Sequence, residues 1–261
     1  MSNLNESRVP MSDRLQILQE SVRHLADVTS RLDPEQYTSP AFPSEWTIAD
    51  TYSHLGSGAV IGKQNFENSI NHRENDPAFN PSVWDEWNAK EPSVQVSDCL
   101  VYDRSYLSAL EDASPEQRES FSFNLGPYTF DFEGLVGLRL SEHALHTWDI
   151  EVAIDPHATL SSEVANAILD SVNFIVSMTG KSTGQKKSVT IRTTAPVRNF
   201  TIELDASSVR LVESINEGTV DLELPTDALV RLIYGRLDAK HTPSSLTGEV
   251  VDELRQVFPG F

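Results

Sequence analysis

The chain has 261 residues, of which 39 % are apolar and one is cysteine, and its formal net charge is −19. One cysteine, Cys99, rules out an internal disulfide and a cysteine-rich zinc site, and no run of apolar residues is long enough to suggest a membrane span. The acidic excess argues against nucleic acid or anionic membrane as partners, because phosphate binding relies on clustered Lys and Arg.

The opening stretch MSNLNESRVPMSDR lacks both a basic and an apolar signal segment, so a cytoplasmic location is expected. Residues 1–10 are polar and read as loose. Residues 11–32 carry Leu15, Leu18, Val22, Leu25 and Val28 at three- and four-residue steps. That spacing predicts an amphipathic helix, stopped by Asp33-Pro34 because the residue before proline avoids the α region. The proline-rich segment 34–45 reads as a loop. Thr47 is a good N-cap with Asp50 three residues on, close to a capping box. The helix it opens runs to about residue 74, with Ile48, Tyr52, Leu55, Ala59 and Phe66 on its apolar stripe and His54 beside them. Residues 75–92, rich in Asn, Pro and Trp, read as a long connection in which Trp84 and Trp87 cover a pocket mouth.

A third helix is predicted over 94–112, with Val96, Leu100, Tyr106, Leu107 and Leu110 on its apolar side. FSFNLGPYTFDF alternates and turns at Gly126-Pro127, a short hairpin. A fourth helix covers about 133–154. Asp155-Pro156-His157 then breaks the pattern. Beyond it lie a helix over 162–178, a basic loop KSTGQKKS, and the strand-like runs SVTIRTTA, NFTIELDA, VRLVESI and GTVDLELP. TDALVRLIYGRL reads as a short helix capped by Thr226 and ending near Gly235. SLTGEV reads as a short strand and VDELRQVF as a last helical turn. The expected fold is a four-helix bundle over residues 1–155, followed over 156–261 by a smaller α+β domain with a mostly antiparallel sheet.

The chemistry concentrates in LRLSEHALHTWDIEVAI, residues 138–154. Glu142 and His146 stand four residues apart, on one helical face and one turn apart. A carboxylate and an imidazole so placed can fill two positions of a metal's coordination sphere. His54, inside another bundle helix, is the best third ligand. Two neutral imidazoles and one carboxylate with an open position form the pattern of catalytic rather than structural zinc. Asp149, three residues after His146, either accepts a hydrogen bond from a ligand imidazole or is an exposed helix residue. Arg139 either binds a substrate carboxylate bidentately or pairs with Glu142 at i, i+3. His143 points about 100° away from Glu142 on the helical wheel and is not expected to be a ligand. Arg236, after a short helix and a glycine, either reaches a cleft between domains or satisfies helix carbonyls.

Three of these stretches resemble one family. EWTIADTYSHL is similar to the second-helix motif of the DinB-like, mycothiol-dependent maleylpyruvate isomerase family of actinobacteria. LRLSEHALHTWDI resembles its fourth-helix motif, Arg-x-x-Glu-x-x-x-His-x-x-Asp, and DALVRLIYGRL with SSLTGEV resembles the close of its C-terminal domain. The resemblance implies a DinB-type bundle and a divalent metal, zinc above all, on His54, Glu142 and His146. It also implies mycothiol as cosubstrate and a contribution to activity from Arg236. The expectation is a metal-dependent enzyme that uses this low-molecular-weight thiol on a small electrophilic substrate, as an isomerase or a thiol S-transferase. Arg236, with Arg139 as the lesser candidate, would hold a carboxylate or a developing enolate. The alternatives are a metal-dependent hydrolase and a non-catalytic binding or stress protein that retains the fold.

Overall fold

The apolar spacing that opens the chain becomes helix α1 (Met11–Ser30) in a computed structural model that describes residues 11–42, 45–126, 128–214, 218–246 and 248–260. The expected loose segment 1–10, Pro127 of the hairpin turn and Thr247 lie outside the described residues. Those residues fall into two units, Met11–Ala158 and the stretch from Thr159 onward.

The first unit is built on α1, α2 (Ile48–Ile70), α4 (Pro92–Glu111) and α6 (Phe132–Glu151), with the short α3 (Phe79–Asn88) and α5 (Pro115–Ser120) between them. Each long helix buries one stripe, as its spacing demands. Leu25, Val28, Tyr52, Leu55, Val96, Cys99 and Ile150 meet in one core. Thr47 caps α2 in a reciprocal box: Asp50 N–H donates to Thr47 Oγ1 at 3.1 Å, and Thr47 N–H donates to Asp50 Oδ2 at 2.9 Å. Asp131 caps α6, accepting from the Gly134 N–H at 2.8 Å. The hairpin pairs β1 (Phe123–Leu125) with β2 (Tyr128–Phe130).

Two expectations are corrected here. The connection 75–92 contains the helix α3, because Phe79, Val83 and Trp87 recur every four residues and give it a packing face. Trp87 covers no pocket mouth: it is 2 % exposed and lies over Gly56 of α2, where a Cβ would stand 2.2 Å from the indole. Only glycine admits that approach. Trp84, by contrast, is exposed.

The second unit places α7 (Ser162–Leu169), α8 (Asn173–Thr179), α9 (Thr226–Ile233) and α10 (Glu249–Val257) with a four-stranded sheet. Its strands are β3 (Lys187–Thr193), β4 (Asn199–Leu204), β5 (Val209–Ser214) and β6 (Leu222–Leu224), in the order β5-β4-β3-β6. β3–β4 and β4–β5 are antiparallel, with Ile191 opposite Phe200 and Ile202 opposite Leu211, and β3–β6 is parallel. Alternation buries Val189, Ile191, Phe200, Ile202, Val209 and Leu211 on one face. The expected single helix over 162–178 is two helices, α7 and α8. Thr226 is the first residue of α9 rather than its cap, and its hydroxyl donates to the Ala195 carbonyl at 2.6 Å. SLTGEV forms no strand among its described residues: Glu249 and Val250 begin α10. α9 stops at Gly235, whose φ of 72° and close approach to Gly260 both require a residue without a side chain.

Candidate metal centre

Packing of α2 against α6 brings together side chains that lie 88 residues apart in the chain. His54 Nε2 stands 3.2 Å from Glu142 Oε2, and His146 Nε2 stands 3.6 Å from the same oxygen. One ligand atom from each of the three lies within 4.8 Å of the others. The two imidazole rings meet edge to face, 4.6 Å between centroids. The side chains of His54 and Glu142 keep 40 % and 47 % of their surface exposed, while His146 keeps 14 %. Solvent therefore reaches the point where the three converge.

The groups around this point explain its charge. Desolvation by the surrounding helices opposes ionisation of Glu142, but hydrogen bonds from His146 and His54 outweigh it and hold the carboxyl well below the usual range. The other nitrogen of His146, Nδ1, lies 2.8 Å from Asp149 Oδ2, and Asp149 is fully buried. Of the two readings of Asp149, the exposed one is thus excluded by position. With a metal bound, an acceptor at Nδ1 would favour the tautomer that carries its proton there, freeing Nε2 from Glu142 to act as a ligand. Two imidazoles, one carboxylate and a buried acceptor behind one imidazole make a donor set that fits zinc or another borderline divalent ion.

Trp46, which sequence reading left without a role, forms one wall. Its ring stacks on His146 at 5.9 Å with planes 21° apart, and lies 5.1 Å from the His54 ring. Its position directly before the Thr47 cap was the available signal: the cap fixes the entry of α2, and Trp46 enters with it.

Arg139 does not meet Glu142, and no substrate-facing guanidinium results. Its Nη2 donates to Asp103 Oδ1 and, at 3.3 Å, to the Leu55 carbonyl, and its side chain is 9 % exposed. A buried carboxylate on α4 outcompetes the half-exposed Glu142 for this cation, because the ion pair is stronger where water is excluded. His143 is no ligand, as expected: it is fully buried, with Nε2 3.1 Å from Asp103 Oδ2 and Nδ1 2.8 Å from Ser21 Oγ. Arg236, in the second unit, is 7 % exposed, and its Nη1 donates to the Tyr234 carbonyl at 3.0 Å.

A model of the mycothiol maleylpyruvate isomerase N-terminal domain family matches residues 18–151. Two solved structures resemble the chain, one of the mycothiol-dependent maleylpyruvate isomerase and one of a histidine-to-alanine mutant of it. Each aligns with a TM-score of 0.63 and 14 % identity over 90 % of this chain and 92 % of that one, a likeness that shows the fold. A comparison with curated proteins found no match.

Proposed function

The chain belongs to the mycothiol maleylpyruvate isomerase N-terminal domain family, and on that premise we propose that it is a divalent-metal-dependent, mycothiol-using enzyme, an isomerase or thiol S-transferase of a small electrophilic substrate. Its bundle has the DinB-like fold. The observation that carries the proposal is the convergence of His54, Glu142 and His146 on one solvent-reached point. His54, Glu142 and His146 would hold a divalent ion, zinc or a similar cation, and such an ion would supply the acidification that turns a thiol into a nucleophile for an electrophilic carbon.

The remaining work falls to the chain itself. Glu142 supplies the anionic ligand and stays ionised across the neutral range. Asp149 holds the His146 ring in the orientation that presents Nε2. Trp46 lies against both imidazole rings and gives the site one aromatic wall. Arg236 enters on the family's Gly-Arg motif, as the cation for a substrate carboxylate or enolate. No described helix is long and apolar enough to cross a membrane, and the single cysteine supports a cytoplasmic setting.

The test is turnover of maleylpyruvate and a panel of small electrophiles, with mycothiol and without any thiol. The proposal expects turnover that requires the thiol and disappears in Glu142→Gln. Equal turnover without thiol would replace it with a hydrolase that activates water. No turnover and no bound metal would replace it with a binding protein.

A further inference from the structure

One carboxylate ties all four bundle helices together. Asp103 of α4 is 2 % exposed, and its oxygens take separate partners, Arg139 at Oδ1 and His143 at Oδ2. Both partners lie on α6. His143 passes the chain of contacts to Ser21 of α1, and Arg139 passes it to the Leu55 carbonyl of α2. Desolvation pushes the Asp103 carboxyl up, but Arg139 and His143 outweigh it and hold the group ionised.

Ser21, His143 and Asp103 are the residue types of a hydrolytic triad, but the ring nitrogens are exchanged: Ser21 faces Nδ1 and Asp103 faces Nε2. No substrate reaches a serine that is 5 % exposed, and Asp103 is also bound to a guanidinium. The arrangement is a lock rather than a nucleophile.

What it locks follows from position. Arg139 precedes Glu142 by three residues and His143 follows it by one. Leu55, which accepts from Arg139, is the neighbour of His54. The bridge from Arg139 to Leu55 and the contact from Glu142 to His54 therefore join the same two helices one turn apart. Apolar packing alone is non-directional, and a slip of one residue along α6 moves a side chain by about 1.5 Å and 100°. Metal sites tolerate only about 0.2 Å.

We propose that Asp103, acting through Arg139 and His143, is the positioning residue of the three-donor site, setting the rotation and height of α6 against α2 so that Glu142 meets His54. This rests on the metal-site reading above, and the test separates the two.

Asp103→Asn keeps the shape and removes the charge. Leu110→Ala, at the far end of α4, serves as a control that loosens the core without touching the network. For each full-length protein, zinc affinity is measured by competition with a chromogenic chelator. The His54 and His146 ring resonances are recorded on metal-free protein by histidine-selective NMR. The proposal expects Asp103→Asn to bind zinc roughly 10- to 100-fold more weakly, as loss of an outer support does, and to shift both ring resonances. Leu110→Ala should leave affinity and resonances near wild type. Unchanged His54 and His146 resonances in Asp103→Asn would overturn the proposal, whether or not the protein binds zinc. A wild-type protein that binds no zinc would overturn the metal-site reading instead, and the resonances would still decide the positioning role.

Discussion

His143 and His146 stand three residues apart on one helix, and each ring meets a carboxylate through one nitrogen and another polar group through the other. Around His143 everything is buried, and the Arg139 cation balances Asp103. Around His146 the partner carboxylate Glu142 is half-exposed and faces a second imidazole instead of a cation. The first cluster is closed in charge and in space. The second has donors aimed at a point that solvent reaches, with the carboxylates of Glu142 and Asp149 beside its imidazoles. Residue type and spacing on the helix do not tell these two apart. Solvent access and the placement of Arg139 do.

That comparison can be broken at its closed end first. Asp103→Ala leaves the Arg139 cation buried without its partner, and the expected loss is about 3–5 kcal/mol of unfolding free energy in urea. A loss below about 1 kcal/mol would mean that water already reaches the cluster. Ser21→Ala removes the hydroxyl facing His143 Nδ1 and should cost about 1–3 kcal/mol, the penalty for an unsatisfied buried polar group. At the open end, Asp149→Asn removes the charge behind His146. Zinc affinity should fall at least about tenfold by the same chelator competition, and an unchanged affinity would remove Asp149 from the site.

A third histidine–carboxylate pair, at the surface, sharpens the scale. His24 Nε2 lies 2.8 Å from Glu151 Oε2, beside Arg31. The hydrogen bond to Glu151, against desolvation, raises the His24 pKa above its ordinary 6.5. The hydrogen bond from His24 is the main cause that lowers Glu151 below its ordinary 4.5. The His24 contribution is present below pH 6.5 and is lost as pH rises through the raised value. The Glu151 contribution is present above 4.5 and is lost as pH falls. Both act together between those limits. His24 is half-exposed, so His24→Ala should cost less than about 1 kcal/mol at pH 5.5 and almost nothing at pH 8. Equal melting-temperature shifts at the two pH values would contradict this.

Much of this was legible in the residues, for identifiable reasons. Three- and four-residue apolar steps located the four long helices, and Thr47 with Asp50 marked the start of α2. Runs rich in Val, Ile and Thr located β3, β4 and β5. His54, Glu142 and His146 were found because two of them share a helix face and the third sits in a neighbouring helix. Asp103 escaped because apolar periodicity counts only apolar residues. It stands on the stripe between Cys99 and Tyr106, and a charged group on such a stripe is itself a signal of a buried partner. The partner of Arg139 escaped because i, i+3 spacing offered Glu142, and only tertiary packing supplies a drier competitor. Helix α3 escaped because its asparagine and proline content hid the Phe79, Val83, Trp87 repeat.

The most direct test of the metal centre is the zinc content of protein purified without chelator or metal-affinity tag, beside a His54→Ala control. The account predicts about one zinc per chain in the wild type, as a three-ligand set with an open position would hold, and none in the control. No zinc in the wild type after zinc is added back, or equal zinc in both proteins, would contradict it.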